Sequence, residues 1–169
     1  SCYRSYGTVL NAKESGIFID CSDYDWAMDP EVLESAFEQY PDVGIVVIND
    51  AYGFPGRLSE IREICNKYDA ILILDASESL GAESILQLEG QELPLPTAMF
   101  ADYSVLDFGK GRLVGKEGGG MLLTDDLYSA KKAEYWANGA FANAPWGQHE
   151  EIGYDYRMAE TVAASIRGQ

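Results

Sequence analysis

Ile71-Leu72-Ile73-Leu74-Asp75-Ala76-Ser77-Glu78 is the stretch on which the rest of the chain turns. Four aliphatic residues in a row, closed by a carboxylate, read as a buried strand ending in a polar turn. A second stretch, Asp102 to Gly120, repeats the theme. It offers a strand, then a turn carrying Lys110, Arg112 and Lys116, then Gly118-Gly119-Gly120 leading into Met121-Leu122-Leu123-Thr124. Strands of this kind alternate with helical patterns in α/β folds, whose ligands sit outside the carboxyl ends of the strands.

Working outward, the chain supplies that alternation. Gly16 to Asp20 reads as a short buried strand. Asp29-Pro30-Glu31 is a helix start, with Asp as N-cap and Pro at the first helical position. Val32, Leu33, Ala36 and Phe37 carry its apolar face to about Gln39. Gly44 to Asn49 is a strand apolar on both faces. Leu58, Ile61, Ile64 and Cys65 mark a helix to about Lys67, and Asp69 to Ala76 is the next strand. The prolines between Leu80 and Pro96 predict an irregular loop. Ala98 to Phe108 is extended, Leu127 to Ala137 helical, and Arg157 to Arg167 a last helix. The expected fold is a single α/β domain over residues 1–169, with a mainly parallel central sheet and helices on both faces. Asp50, Tyr52, Asp75, Glu78 and Asp107 stand at strand ends and are the first candidates for a site.

Composition narrows the function classes. Hydrophobic residues make up 47% of the 169 and aromatics 12%, enough for a packed core. A net charge of -16 argues against nucleic acid and anionic membrane surfaces, because few cations are available to neutralise phosphates. Solubility is the simplest role for that acidity. Cys2, Cys21 and Cys65 are odd in number and widely spaced, as in a reduced, cytoplasmic protein. His149 is the sole histidine, so no metal site is expected. No apolar run approaches the ~18 residues of a membrane span.

Five segments together resemble the DegT/DnrJ/EryC1/StrS family of sugar-nucleotide aminotransferases, which use pyridoxal phosphate (PLP). Asp75-Ala76-Ser77-Glu78 resembles the family stretch whose Asp pairs with the pyridine nitrogen. By that resemblance Asp75, Ala76 and Glu78 are cofactor-binding positions. A carboxylate there keeps the ring nitrogen protonated and makes the ring an electron sink. Asp50-Ala51-Tyr52-Gly53 resembles a turn near the active site, which puts Tyr52 toward substrate. Trp146 to Met158 resembles the family's Trp-His-Glu-x-Ile-Gly-Tyr-Asn-Tyr-Arg-Met segment. The match covers the central part of the large domain. It implies that an N-terminal part and a C-terminal small domain of the family are absent from this chain. It also implies a homodimer and a nucleotide-sugar ligand.

Register against the family exposes three departures. The family places Ser five residues and Lys ten residues after the Asp that corresponds to Asp102. Here those positions are Asp107 and Arg112. The family Asn that reaches the cofactor phosphate of the partner subunit is Asp155. A guanidinium stays protonated and is a poor nucleophile, so Arg112 cannot form a Schiff base. A carboxylate ~4 Å from a phosphate charge costs on the order of 4 kcal/mol per pair of unit charges at an effective dielectric near 20. The expectation is a degenerate active site; the alternative is an active aminotransferase using Lys110, ~6–7 Å away along an extended segment. Lys110, Arg112 and Lys116 could together bind an anion such as a diphosphate, or form a solvated basic turn.

Overall fold

A computed structural model describes Gly7 and residues 15–88, 90–115 and 118–169. Cys2 and Lys116 lie outside the described residues. A four-stranded sheet organises the chain, in the order β1-β2-β5-β6: Ile45–Asn49, Ile71–Asp75, Tyr103–Asp107 and Gly120–Leu123. β1, β2 and β5 are mutually parallel, and β6 runs antiparallel to β5. The expected α/β class and mainly parallel sheet are therefore present.

Two helices cover one face. In α1 (Pro30–Gln39) Asp29 caps the first turn by accepting from the Glu31 N–H at 2.8 Å, and Pro30 takes the position where an N–H is not needed. Leu33 and Phe37 of α1, and Leu58, Ile61 and Cys65 of α2 (Leu58–Lys67), meet Val46, Ile48, Leu72 and Leu74 in one core. Each of the larger side chains contributes roughly 1.5–3 kcal/mol by leaving water. The pleat sends Ile45, Ile71 and their neighbours to the opposite face. There Ile45 is 55% and Ile71 41% exposed. Helix α3 (Leu127–Ala137) reaches that second face at the start of β5, where the Tyr103 and Ser129 hydroxyls stand 2.9 Å apart. A last helix, α4, spans Glu160–Arg167, three residues later than the sequence expectation of Arg157.

Three expectations are corrected. Residues 15–20 form no strand; Ile17 and Phe18 are 43% and 61% exposed, and only Cys21 makes a bridge, to Met28. A three-residue apolar run becomes a strand only where a neighbour pairs with it. Conversely, the expected loop contains an antiparallel hairpin, β3 (Glu83–Leu88) with β4 (Gln91–Pro96). Pro94 and Pro96 are tolerated because β4 is an outer strand with no second neighbour to serve. The expected extended run from Ala98 also divides, into a 3-10 turn at Thr97–Phe100 and then β5.

Candidate active site

Strand register brings the candidate carboxylates together at one end of the sheet. Asn49 pairs with Asp75, and Asp75 with Val105. Because side chains alternate along a strand, Asp75 and Asp107 project from the same face. The Asp75 carboxylate is engaged by its own turn: Oδ1 accepts from the Ser77 N–H at 3.2 Å and from the Ser77 hydroxyl. Ala76 behind it is 1% exposed, and its N–H donates to the Val105 carbonyl.

Arg112 is the centre of the cluster. Its Nη1 donates to Glu78 Oε1 at 2.7 Å and its Nε to Asp107 Oδ2 at 3.0 Å. Hydrogen bonds donated to Glu78, and then to Asp107, raise the guanidinium's pKa above its already high ordinary value. The remaining carboxylate oxygens are also used. Glu78 Oε2 accepts from the Tyr52 N–H at 2.7 Å, and Asp107 Oδ1 from the Gly109 N–H at 2.9 Å. One guanidinium thus ties the turn after β2 to the end of β5. Lys110, by contrast, is exposed and makes no hydrogen bond or ion pair among the described residues.

The turn after β1 completes this end of the sheet. Tyr52 has φ 61° and is 95% exposed, so its ring projects outward from a strained backbone. Gly53 beside it lies so close that a Cβ would meet the Glu78 carbonyl oxygen at 2.9 Å. Asp50 precedes them and is 1% exposed. Its Oδ2 accepts from the Ser79 hydroxyl at 2.6 Å, and Ser79 Oγ lies 3.2 Å from Thr97 Oγ1. Burial pushes the Asp50 carboxyl up to about 6, against the lowering bond from Ser79. Ser79 and Thr97 are partners the sequence did not single out, and no spacing rule could have paired them.

Asp155 is not drawn into the Arg112 cluster among the described residues. It bridges Asn138 at the end of α3. There the segment ending in Tyr156 docks through Tyr154 N–H to Trp136 O at 2.7 Å and Tyr156 N–H to Ala137 O at 3.0 Å. Glu151 accepts from Trp136 Nε1 at 2.7 Å and pairs with Lys132. An open cleft of about 1180 Å³ lies here, lined in part by Phe141, His149, Tyr154, Asp155 and Arg157, and not at Asp75.

The profile of the DegT/DnrJ/EryC1/StrS aminotransferase family matches residues 4–169. The chain belongs to that family. It is 31% identical over 159 residues to the putative pyridoxal phosphate-dependent aminotransferase EpsN of Bacillus subtilis, covering 92% of this chain and 39% of EpsN. Against GDP-perosamine synthase of Escherichia coli O157:H7 the identity is 24%, over 88% of this chain and 38% of the synthase. The structure of Helicobacter pylori PseC, an aminotransferase of pseudoaminic acid biosynthesis, superposes with a TM-score of 0.81 at 20% identity, covering 100% of this chain and 43% of PseC. This DegT-family chain therefore spans about two-fifths of the length of the relatives it matches. PLP is the cofactor that family membership implies.

Proposed function

We propose that this DegT-family chain is a sugar-aminotransferase scaffold whose own PLP chemistry is disabled. The observation that carries the reading is the Arg112 guanidinium held between Glu78 and Asp107, at the position where the family places its Schiff-base lysine. The residues present do not fit the cofactor. A Schiff base needs an amine that can lose its proton, and Arg112 is held charged by two carboxylates. Asp107 would set a negative group against the cofactor phosphate. Asp75 would be the ring-nitrogen partner, with Ala76 against the ring and Glu78 beside it, yet Glu78 is committed to Arg112 and Tyr52. Asp155 would add a second carboxylate to the phosphate site of a partner subunit.

The role left to such a scaffold is binding. We assign it a nucleotide-linked sugar as ligand, with Tyr52 toward it, and a cytoplasmic homodimer as its assembly. Support for the dimer is the apolar surface around the docked segment: Phe141, Trp146, Ile152 and Tyr156 are 61–81% exposed. The competing reading is catalysis through Lys110, whose exposed ammonium is free of a partner among the described residues.

Stepwise restoration tests the assignment. The intact protein carrying Arg112→Lys alone should bind PLP no better than the parent. Adding Asp107→Ser and Asp155→Asn should produce a visible imine band. An imine band from Arg112→Lys alone would show that the aspartates do not obstruct the cofactor.

A further inference from the structure

We infer that Asp50, Ser79 and Thr97 form a buried, proton-linked pin that sets how tightly the Asp75–Ser79 turn is held against the end of β1. Asp50 is 1% exposed, and Oδ1 of its carboxylate has no hydrogen-bond partner among the described residues. An unpaired oxygen of a charged carboxylate in that state costs more than the same oxygen of a neutral carboxyl. No cation compensates it among the described residues. Arg57 pairs with Asp29 and Glu60, and Arg62 with Asp102. The charged group that acts on it is Asp75, at the end of the neighbouring strand, which repels it. The 3-10 turn Thr97–Phe100 contributes only neutral side chains.

The hydroxyls allow both protonation states. With Asp50 ionised, Ser79 O–H donates to Oδ2, and Thr97 O–H can donate to Ser79 Oγ. Uptake of one proton from solvent reverses the chain. The carboxyl O–H on Oδ2 donates to Ser79 Oγ, which then donates to Thr97 Oγ1 or to the Ala76 carbonyl 3.5 Å away. Protonation removes the buried charge, so the closed turn is favoured as pH falls. Loss of the proton favours an open turn in which water reaches Oδ1. The turn carries Glu78, which holds the Tyr52 N–H and Arg112, so the pin sits directly behind the carboxylate–guanidinium cluster.

The sign follows from linkage. A carboxyl raised from 3.8 to about 6 in the folded state binds more protons there than when the turn is open. Protection of the turn therefore falls as pH rises between those values and stays low above them. Two units correspond to a change of up to about a hundredfold in the opening equilibrium.

The test is carboxyl carbon NMR with amide exchange, on the protein and on Asp50→Asn. One carboxyl should titrate near pH 6 and vanish in Asp50→Asn. Protection of the Ser79 and Tyr52 amides, corrected for intrinsic exchange, should rise about tenfold from pH 7.5 to 5 in the parent and stay flat in the variant. Ser79→Ala removes the bond that lowers Asp50 and should move the midpoint higher still, which keeps the proposal testable if Asp50→Asn does not fold. A carboxyl titrating in the ordinary range, an unmoved midpoint in Ser79→Ala, or equal pH dependence in Asp50→Asn would each overturn the pin.

Discussion

Arg112 is the shared cation of two carboxylates, at the position proposed above for the family's lysine. Glu78 and Asp107 each keep one oxygen for the guanidinium and one for a backbone N–H. Removing the guanidinium by Arg112→Ala leaves two facing carboxylates without their shared cation. Both are a little over a third exposed, so solvent screens the loss. We expect ~1 kcal/mol of destabilisation in urea titration and faster exchange of the Tyr52 amide. An unchanged midpoint and an unchanged amide would mean the cluster is ornamental to the fold. Asp102 supplies a second residue-scale prediction. Partial burial pushes its carboxyl up, but hydrogen bonds from Arg62 and the Leu72 N–H outweigh that and hold it below the usual range. Its contribution is therefore present above the unfolded pKa of ~3.9 and lost as pH falls through the lower folded value. Asp102→Asn should flatten the acid limb of the stability curve below pH 4. An identical acid limb in the variant would exclude this carboxylate as its source.

Elements divide by how much of their cause is local. Pro30–Gln39, Leu58–Lys67 and Leu127–Ala137 were legible because the apolar period and the terminus of each lie within ten or eleven residues, with a capping Asp at the first and third. Asp29→Ala should cost about 1 kcal/mol by orphaning the Glu31 N–H, readable as a shifted denaturation midpoint. No shift would mean that the Arg57 contact or solvent replaces the cap. The hairpin at Glu83–Pro96 was illegible because Pro94 argues against a strand unless that strand is known to be outermost, which is a tertiary fact. The 16–20 run failed for the opposite reason, since its apolar residues find no neighbouring strand. Residues of the site were legible by register, but their pairing was not. Arg112 meets Glu78 across 34 residues, and Ser79 meets Asp50 across 29, separations about which periodicity says nothing. Gly153 is a further tertiary constraint. A Cβ there would meet the Gly139 carbonyl carbon at 2.0 Å and its oxygen at 2.3 Å, and backbone cannot yield as a side-chain end can. Gly153→Ala should release the Tyr154–Trp136 pairing and raise protease sensitivity after Asn138. Resistance equal to the parent would contradict that docking.

At the scale of the whole molecule, the chain has the fold of its family, and the altered centre is the proposal made above. Among the described residues no helix is long and apolar enough to cross a membrane. The net charge of -16 leaves little for phosphate to bind outside the basic turn, and that turn's Arg112 is already neutralised. Apolar side chains exposed around the docked segment are the surface on which the proposed dimer would form. Replacing Ile152, 81% exposed, by Asp should shift sedimentation toward monomer without lowering thermal stability. A parent protein that sediments as a monomer at every concentration would remove the dimer from the account. The proposed function has the family's scaffold persisting here without its imine chemistry. It is tested most directly by adding PLP to the intact protein, reading the visible spectrum, trapping with borohydride and mapping peptides by mass. The account predicts no imine band and no PLP adduct on any lysine of this segment. A stoichiometric adduct on Lys110 would contradict it and establish a working aminotransferase with a shifted lysine.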